Sequence, residues 1–342
     1  MLHLDVVMMM ECERLKIKVI CEVILNKIRQ WYTLLVYHME FFLMQLVVVR
    51  KIPRHVAFIM DGNRRYAREM NLPIPMGHLE GLQMLQRLLR WLYLLRVPEV
   101  TVYAFSIENF KRPQSEVSLL QAIARNAIYH VKRHEIDYRR ANIRFQLIGR
   151  IDMLPEDIRQ VLISAEAQTK DCTGMRINIA AAYTSRDDIV GGIREVCRKV
   201  KNNTMHPHDV NEEEIERNLR TNRCNKPDLL IRTSGETRLS DFLLWEVCDS
   251  MLYFLPKNWP CLTLWDIVKA LLHFQRHSKS LPGDKSGVKV DSVVKDEQHT
   301  RPYEEEVEDY LEEHQEIKNT MYILDNFQRY TKRTNIALYK DF

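Results

Sequence analysis

From Ile52 to about Ser280 the chain repeats one pattern: a short apolar, β-branched run, a polar loop, then apolar positions at helical spacing. Short apolar runs bounded by turn signals and separated by helical stretches predict parallel strands buried on both faces. Six such runs stand out: HVAFIM (55–60), VTVYAF (100–105), IRFQLIG (143–149), RINIAAAY (176–183), PDLLIRT (227–233) and YFLP (253–256). They predict an α/β domain over residues 51–280 with one six-stranded, mostly parallel sheet flanked by helices. Between the first two runs, GLQMLQRLLRWLYLLRV (81–97) puts Leu85, Leu88, Leu89, Leu92 and Leu95 on one helical stripe, the spacing of a core-facing surface. Met84, Trp91 and Leu94 add apolar bulk outside it, so this helix is either deeply buried or walls an apolar cavity.

Both ends break the pattern. Residues 1–50 carry six methionines and the run YTLLVYHMEFFLMQLVVV (32–49). Eighteen residues is the lower limit for a spanning helix, and His38 and Glu40 near its middle are costly in hydrocarbon. The expectation is an apolar helix on a membrane surface, peripheral, with Lys51 and Arg54 at its edge; a span, or a helix folded onto the domain, are the alternatives. There is no basic n-region and no small-residue cleavage site after the apolar run, which argues against a secretory signal. Residues 281–302 read as a linker, and the acidic-then-basic segment 303–342 as a C-terminal helical extension.

Composition narrows the partners. With 50 basic and 46 acidic residues the formal charge is +4, which argues against nucleic acid, so any anion must be bound locally. Seven scattered cysteines include no C-x-x-C and no zinc spacing, and point to a reducing compartment.

Charge concentrates in three loops at strand ends, where open α/β sheets bind ligands. In DGNRRYA (61–67), Asp61 supplies a hard oxygen, Gly62 lets backbone come close, and Arg64 and Arg65 are forked donors suited to phosphate at a helix N-terminus. SIENFKR (106–112) gathers hydroxyl, amide, aromatic and cation. In RTSGETRLSDFLLW (232–245), Arg232 and Arg238 bracket a glycine turn and Ser240 stands near an expected helix start. Taken singly, Asp61 can be a helix N-cap, Arg65 and Arg68 a solvated face, and Arg232 a partner of Glu236. Taken together, five arginines and one unpartnered aspartate call for an anion between them, and a metal-bridged polyphosphate is the simplest. No G-x-x-x-x-G-K-[ST] or G-x-G-x-x-G occurs among only ten glycines, so the phosphate is not a nucleotide's.

The segments HVAFIMDGNRRYA, Gly77-His78, EVTVYAFSIENFKRP, INIAAAYTSRDDIV and DLLIRTSGETRLSDFLLW resemble, in order and over roughly 52–278, the cis-prenyltransferases, an undecaprenyl diphosphate synthase-like family, in its eukaryotic dolichol-forming branch. The resemblance implies a fold enclosing an apolar tunnel and successive cis additions of isopentenyl diphosphate to farnesyl diphosphate. It also implies Mg2+ and the cytoplasmic face of the endoplasmic reticulum membrane. It implies Asp61 as the magnesium-linked acid, with Gly62, Asn63, Arg64, Arg65 and Tyr66 cradling the allylic diphosphate. His78 would assist the departing diphosphate. Asn109, with Ser106, Ile107 and Glu108, sits where the condensing alkene is oriented. Arg232, Arg238, Leu239 and Ser240 match the isopentenyl diphosphate site, with Phe110 and Arg112 nearby.

Three departures accompany the match. Ile74 stands where the family often has arginine, and Met251 where homodimeric members have a metal-binding glutamate; Asp249 lies close to it. No R-x-G occurs, a segment that homodimeric relatives place at isopentenyl diphosphate. The resemblance therefore implies a heteromer with a Nogo-B-receptor-like subunit, through an interface helix after TSGETRLSDF. The alternative is a non-catalytic partner of the same fold, which needs neither Asp61 nor the arginines.

Overall fold

The structure is a computed structural model that describes residues 50–133 and 135–278, together with Lys27, Trp31, Leu35, Met39 and Val47. The linker and extension expected over 281–342, and most of the apolar run at 32–49, lie outside the described residues.

In chain order the elements are β1 (His55–Ile59), α1 (Asn63–Glu69), α2 (Ile74–Leu94), β2 (Glu99–Ser106), α3 (Gln114–Arg133), α4 (Glu135–Arg140), β3 (Arg144–Ile148), α5 (Glu156–Gln168), β4 (Arg176–Tyr183), α6 (Ser185–Lys201), α7 (Glu212–Arg217), β5 (Leu229–Arg232), β6 (Met251–Phe254) and α8 (Leu264–His277). The six strands form one sheet in the order β3-β4-β2-β1-β5-β6. Every pairing is parallel. Continuous apolar strands explain this, since β1 is buried at all five positions and both faces must be covered. From β1 the chain builds outward to β2, β4 and β3 on one side and later to β5 and β6 on the other, so the crevice beyond β1 and β5 is a topological switch point.

Helix α2 begins at Ile74, seven residues earlier than the leucine pattern predicts. Its fully buried side chains are Met84, Leu88 and Leu92, with Leu95 just past its end; Leu85, Leu89 and Leu94 are half-buried against the same core. The packed face is thus rotated from the predicted stripe toward Met84 and Trp91. Gly77 and Gly81 let α1 cross the first turns of α2: a Cβ on Gly77 would lie 2.2 Å from the Asn63 carbonyl oxygen, and one on Gly81 2.3 Å from the Asn63 amide oxygen.

The apolar N-terminal segment divides. Val47 is buried in the main core, and its carbonyl accepts from Gln275 Nε2 of α8 at 3.0 Å. Trp31, Leu35 and Met39, four residues apart, are 75%, 59% and 57% exposed. Among the described residues no helix is long and apolar enough to cross a membrane.

The expected helix after TSGETRLSDF does not form. Residues 240–250 are successive turns, with Ser240, Asp241 and Leu243 in left-handed backbone at φ 50°, 61° and 48°. Such residues interrupt a right-handed helix, and Phe242, Leu243 and Val247 instead pin the segment into an apolar cluster with β1 and β5.

Candidate active site

Strand β1 ends at Ile59, which pairs with Arg232 at the end of β5, so Asp61 and Arg232 meet although 171 residues separate them. Asp61 Oδ2 accepts from Arg232 Nη2 at 2.8 Å, and Oδ1 accepts from the Gly62 N–H at 2.8 Å. Asp61 is therefore neither unpartnered nor the N-cap of α1; Gly62 holds the cap position at φ 105°. That backbone demands glycine, and a Cβ there would also sit 2.6 Å from the Asn258 amide oxygen and 2.9 Å from Ser234 Oγ. Thr233 fixes the Asp61 backbone on both sides: its hydroxyl receives the Asp61 N–H at 2.9 Å and donates to the Asp61 carbonyl at 2.7 Å. The carboxylate is thus held at the strand end while remaining about one-third exposed.

Arg232 is buried, its side chain only 2% exposed. A buried guanidinium needs a partner on every face, and it finds Asp61, the Arg238 carbonyl and Ser240 Oγ, the last at 2.7 Å. Its Nε finds none. The left-handed turn at Ser240 is braced by Tyr103, whose hydroxyl donates to the carbonyls of Tyr183 (3.0 Å) and Ser240 (3.4 Å) and whose ring stacks on Phe242 at 4.4 Å. Burial pushes that phenol up to about 12, so it stays a donor. Leu239 packs into the same cluster.

The third loop is a 3-10 turn, Ile107–Lys111, closed by a reciprocal cap. Asn109 Oδ1 accepts from the Ser106 N–H at 2.9 Å and Ser106 Oγ from the Glu108 N–H at 3.2 Å. Asn109 thereby keeps its amide N–H donors for another partner. Glu108 pairs with Lys111, and Phe110 packs edge-on against Phe105. Arg112 donates to Glu116 at 2.8 Å, and Arg64 lies 3.6 Å from the same carboxylate.

His78 reaches this space from α2. Its Nδ1 faces Asn63 Nδ2 at 3.4 Å, so the ring proton is assigned to Nε2, which has no partner, nor does Asn63 Oδ1. Burial, reinforced by Arg112, lowers His78 to about 4, leaving a neutral donor at neutral pH. Tyr66 lies on α1 and Ile107 opens the 3-10 turn.

Five arginines from three segments share three carboxylates: Arg64 and Arg112 on Glu116, Arg65 and Arg238 on Glu236, Arg232 on Asp61. Arg232 does not pair with Glu236. Two positive charges remain uncompensated, beside two buried donors without acceptors, His78 Nε2 and Arg232 Nε. Buried polar atoms are seldom left so, and a polyanion satisfies both conditions. No group of three or more His, Cys, Asp or Glu side chains gathers as a metal cage among the described residues. One hard carboxylate beside clustered arginines does suit Mg2+, which takes most of its ligands from phosphate oxygens and water where a diphosphate is bound. Met251 offers no ligand, being buried in the main core at the start of β6. Sequence reasoning missed Glu116, Tyr103, Thr233, Asn258 and Trp259, the last donating its backbone N–H to the Asp61 carbonyl at 3.0 Å.

The family described as putative undecaprenyl diphosphate synthase matches residues 59–281. The chain belongs to the cis-prenyltransferase family. This cis-prenyltransferase is 40% identical over 242 residues to the human dehydrodolichyl diphosphate synthase complex subunit DHDDS, covering 71% of this chain and 73% of that one. It is 36% identical over 226 residues to a dehydrodolichyl diphosphate synthase complex subunit of Schizosaccharomyces pombe, 66% of this chain and 86% of that one. Among solved structures it resembles lavandulyl diphosphate synthase from Lavandula x intermedia, in complex with dimethylallyl diphosphate. That likeness has a TM-score of 0.63 at 32% identity and covers 66% of this chain and 95% of that one. The chain is thus an enzyme of polyprenyl diphosphate synthesis.

Proposed function

We propose that this cis-prenyltransferase extends farnesyl diphosphate by successive cis additions of isopentenyl diphosphate, giving the long polyprenyl diphosphate that precedes dolichol. The observation that carries this is the cationic excess with unpartnered donors at the switch point between β1 and β5.

Asn63, Arg64, Arg65 and the neutral His78 bind the allylic diphosphate, and Asp61 would hold Mg2+ there, which supplies charge neutralisation for the departing group. As the allylic C–O bond breaks, negative charge grows on the diphosphate and positive charge on the hydrocarbon. Fixed guanidiniums stabilise the first without reorganising. Arg232, Arg238 and Ser240 hold the second diphosphate, and Asn109, with Arg112 beside it, orients the incoming alkene. Leu85 and Leu89 of α2, half-buried against the main core, are the side chains we assign to one wall of the apolar tunnel the growing chain needs. Side chains 126–133 of the neighbouring α3 fall outside the described residues.

Without R-x-G the second site is incomplete, so a Nogo-B-receptor-like subunit completes it; the relatives named as complex subunits are in keeping with this. The exposed Trp31, Leu35 and Met39 stripe suits a helix on the endoplasmic reticulum membrane. The test is to incubate the full chain, with and without its cognate second subunit, with labelled isopentenyl diphosphate, farnesyl diphosphate and Mg2+, and to size the products. Slow synthesis alone and a long-chain product with the subunit are expected. No elongation under either condition overturns the proposal.

A further inference from the structure

Glu236 links an arginine from each proposed diphosphate site, Arg65 on α1 and Arg238 on the loop after β5. Its position is built into the backbone. Ser234 and Gly235 are both left-handed, at φ 76° and 70°, and so turn the chain sharply just before it. A left-handed serine persists only when its surroundings over-determine it. Here the Ser234 N–H donates to the Lys257 carbonyl at 2.7 Å, and the Gly235 N–H to the Leu255 carbonyl at 2.8 Å. Ser234 Oγ donates to Asn258 Oδ1 at 3.0 Å, and the Ser234 carbonyl accepts from Arg65 Nη1 at 2.6 Å. The two guanidiniums, Arg65 first, hold the Glu236 carboxyl below its ordinary range, so it remains an anion.

Resting on the diphosphate reading of the site, we propose that Glu236 is a resident stand-in for diphosphate, a carboxylate that competes for Arg65 and Arg238 with every diphosphate entering the site. Each addition breaks the allylic C–O bond, with its electron pair leaving on pyrophosphate. It forms one C–C bond to the isopentenyl carbon and releases one proton. A cradle cationic enough to bind the substrates also retains that pyrophosphate. Substrates offset the competition by burying their hydrocarbon chains, whereas pyrophosphate has none. The carboxylate therefore lowers the affinity of every diphosphate alike, the hydrocarbon keeps the substrates bound, and the by-product leaves the site for the next addition.

The test is calorimetric titration of inorganic pyrophosphate, with Mg2+ present, into the full chain alone and together with its cognate subunit, comparing wild type, Glu236→Gln and Glu236→Asp. Glu236→Gln keeps the shape and removes the charge, and is expected to bind pyrophosphate about tenfold more tightly. Glu236→Asp is expected to stay closer to wild type, and pyrophosphate inhibition of steady-state synthesis to deepen only in the glutamine variant. Unchanged or weaker binding by Glu236→Gln overturns the inference, weaker binding meaning that Glu236 merely positions the arginines. If wild type itself shows no saturable pyrophosphate binding, the diphosphate reading of the site fails, and this inference with it.

Discussion

The two ends of the sheet solve the same problem in opposite ways. At the amino end, polar side chains buried under β1, β2 and β4 bond mostly to one another. His55 Nε2 meets Thr101 Oγ1 and Nδ1 meets the Asn225 carbonyl, each at 2.7 Å. Asn178 Nδ2 donates to Glu99 at 2.8 Å and Thr101 at 2.9 Å, while Asn225 donates to Glu99 through both its backbone and its side chain. Only Asn178 Oδ1 and Arg176 Nε are left over there. At the carboxyl end the arginines outnumber their carboxylates, and donors on two different elements, α2 and β5, point to no protein acceptor. The amino-end network fixes one strand register and balances its charge, Arg176 against Glu99, without a ligand. An open one is stable enough to fold and still short of an anion. That asymmetry, more than any single residue, marks the carboxyl end as the site.

Breaking the closed end should cost stability and little else. Glu99→Ala strands Asn178, the Asn225 donors and Arg176, which lies 3.5 Å from the carboxylate. Removing one partner of such a buried pair costs about 3–5 kcal/mol. Urea unfolding should show that loss, while the folded fraction keeps its turnover number.

Breaking the open end should cost turnover beyond any loss of stability. Asp61→Ala strands the buried Arg232 guanidinium and so is expected to lower the unfolding midpoint as well, but the folded fraction should in addition lose about 3–4 kcal/mol of transition-state stabilisation, the scale for one preorganised charge-stabilising group. Near-normal turnover at saturating Mg2+ would remove Asp61 from the chemistry.

His78 sharpens the contrast through pH. Because its folded value is depressed to about 4 from the ordinary 6.5, the unfolded chain binds the extra proton first as pH falls. Stability is unaffected above that range and declines as pH drops through it, by ~2–3 kcal/mol at pH 4.5. His78→Gln should flatten that part of the stability curve, and the difference between the two unfolding curves at pH 7 and pH 4.5 measures it. An equal decline in the variant would show that the ring titrates freely.

The smallest expected effect is at Tyr103, which braces the Ser240 turn without reaching the ligand. Tyr103→Phe should raise KM for isopentenyl diphosphate roughly fivefold, about 1 kcal/mol for a lost hydrogen bond, and leave kcat nearly unchanged.

Strand β4 was legible in full because its apolar run begins and ends on polar residues. Strand β6 lies two residues earlier than expected, at Met251–Phe254: Leu255 and Pro256 prolong the apolar run past the strand, and the apolar FLLWEV before it hides the start. Proline and two glycines concealed the start of α2, since the helix tolerates Gly77 and Gly81 only to let Asn63 approach. In the site, Asp61, Arg65 and Arg232 stood out because, although each alone has a structural explanation, together they gather charge just beyond the ends of apolar strands. Their partners were not. Glu236 reaches Arg65 across 171 residues of sequence, and Glu116 looks like an acid in a helix first turn. The Arg65–Glu236 pairing and the approach of Arg64 to Glu116 are set by how distant segments pack, which no local pattern encodes, whereas Arg112–Glu116 is a local i,i+4 pair.

The most direct test of the central claim, that the open end of the sheet is a metal-diphosphate site, is a crystal structure grown with inorganic pyrophosphate and Mn2+, read by anomalous scattering. The account predicts an ion bonded to the Asp61 carboxylate and to pyrophosphate oxygens, with the anion against Arg65, Arg232 and His78 Nε2. An ion or pyrophosphate found elsewhere, with the carboxyl end of β1 and β5 unoccupied, would contradict it.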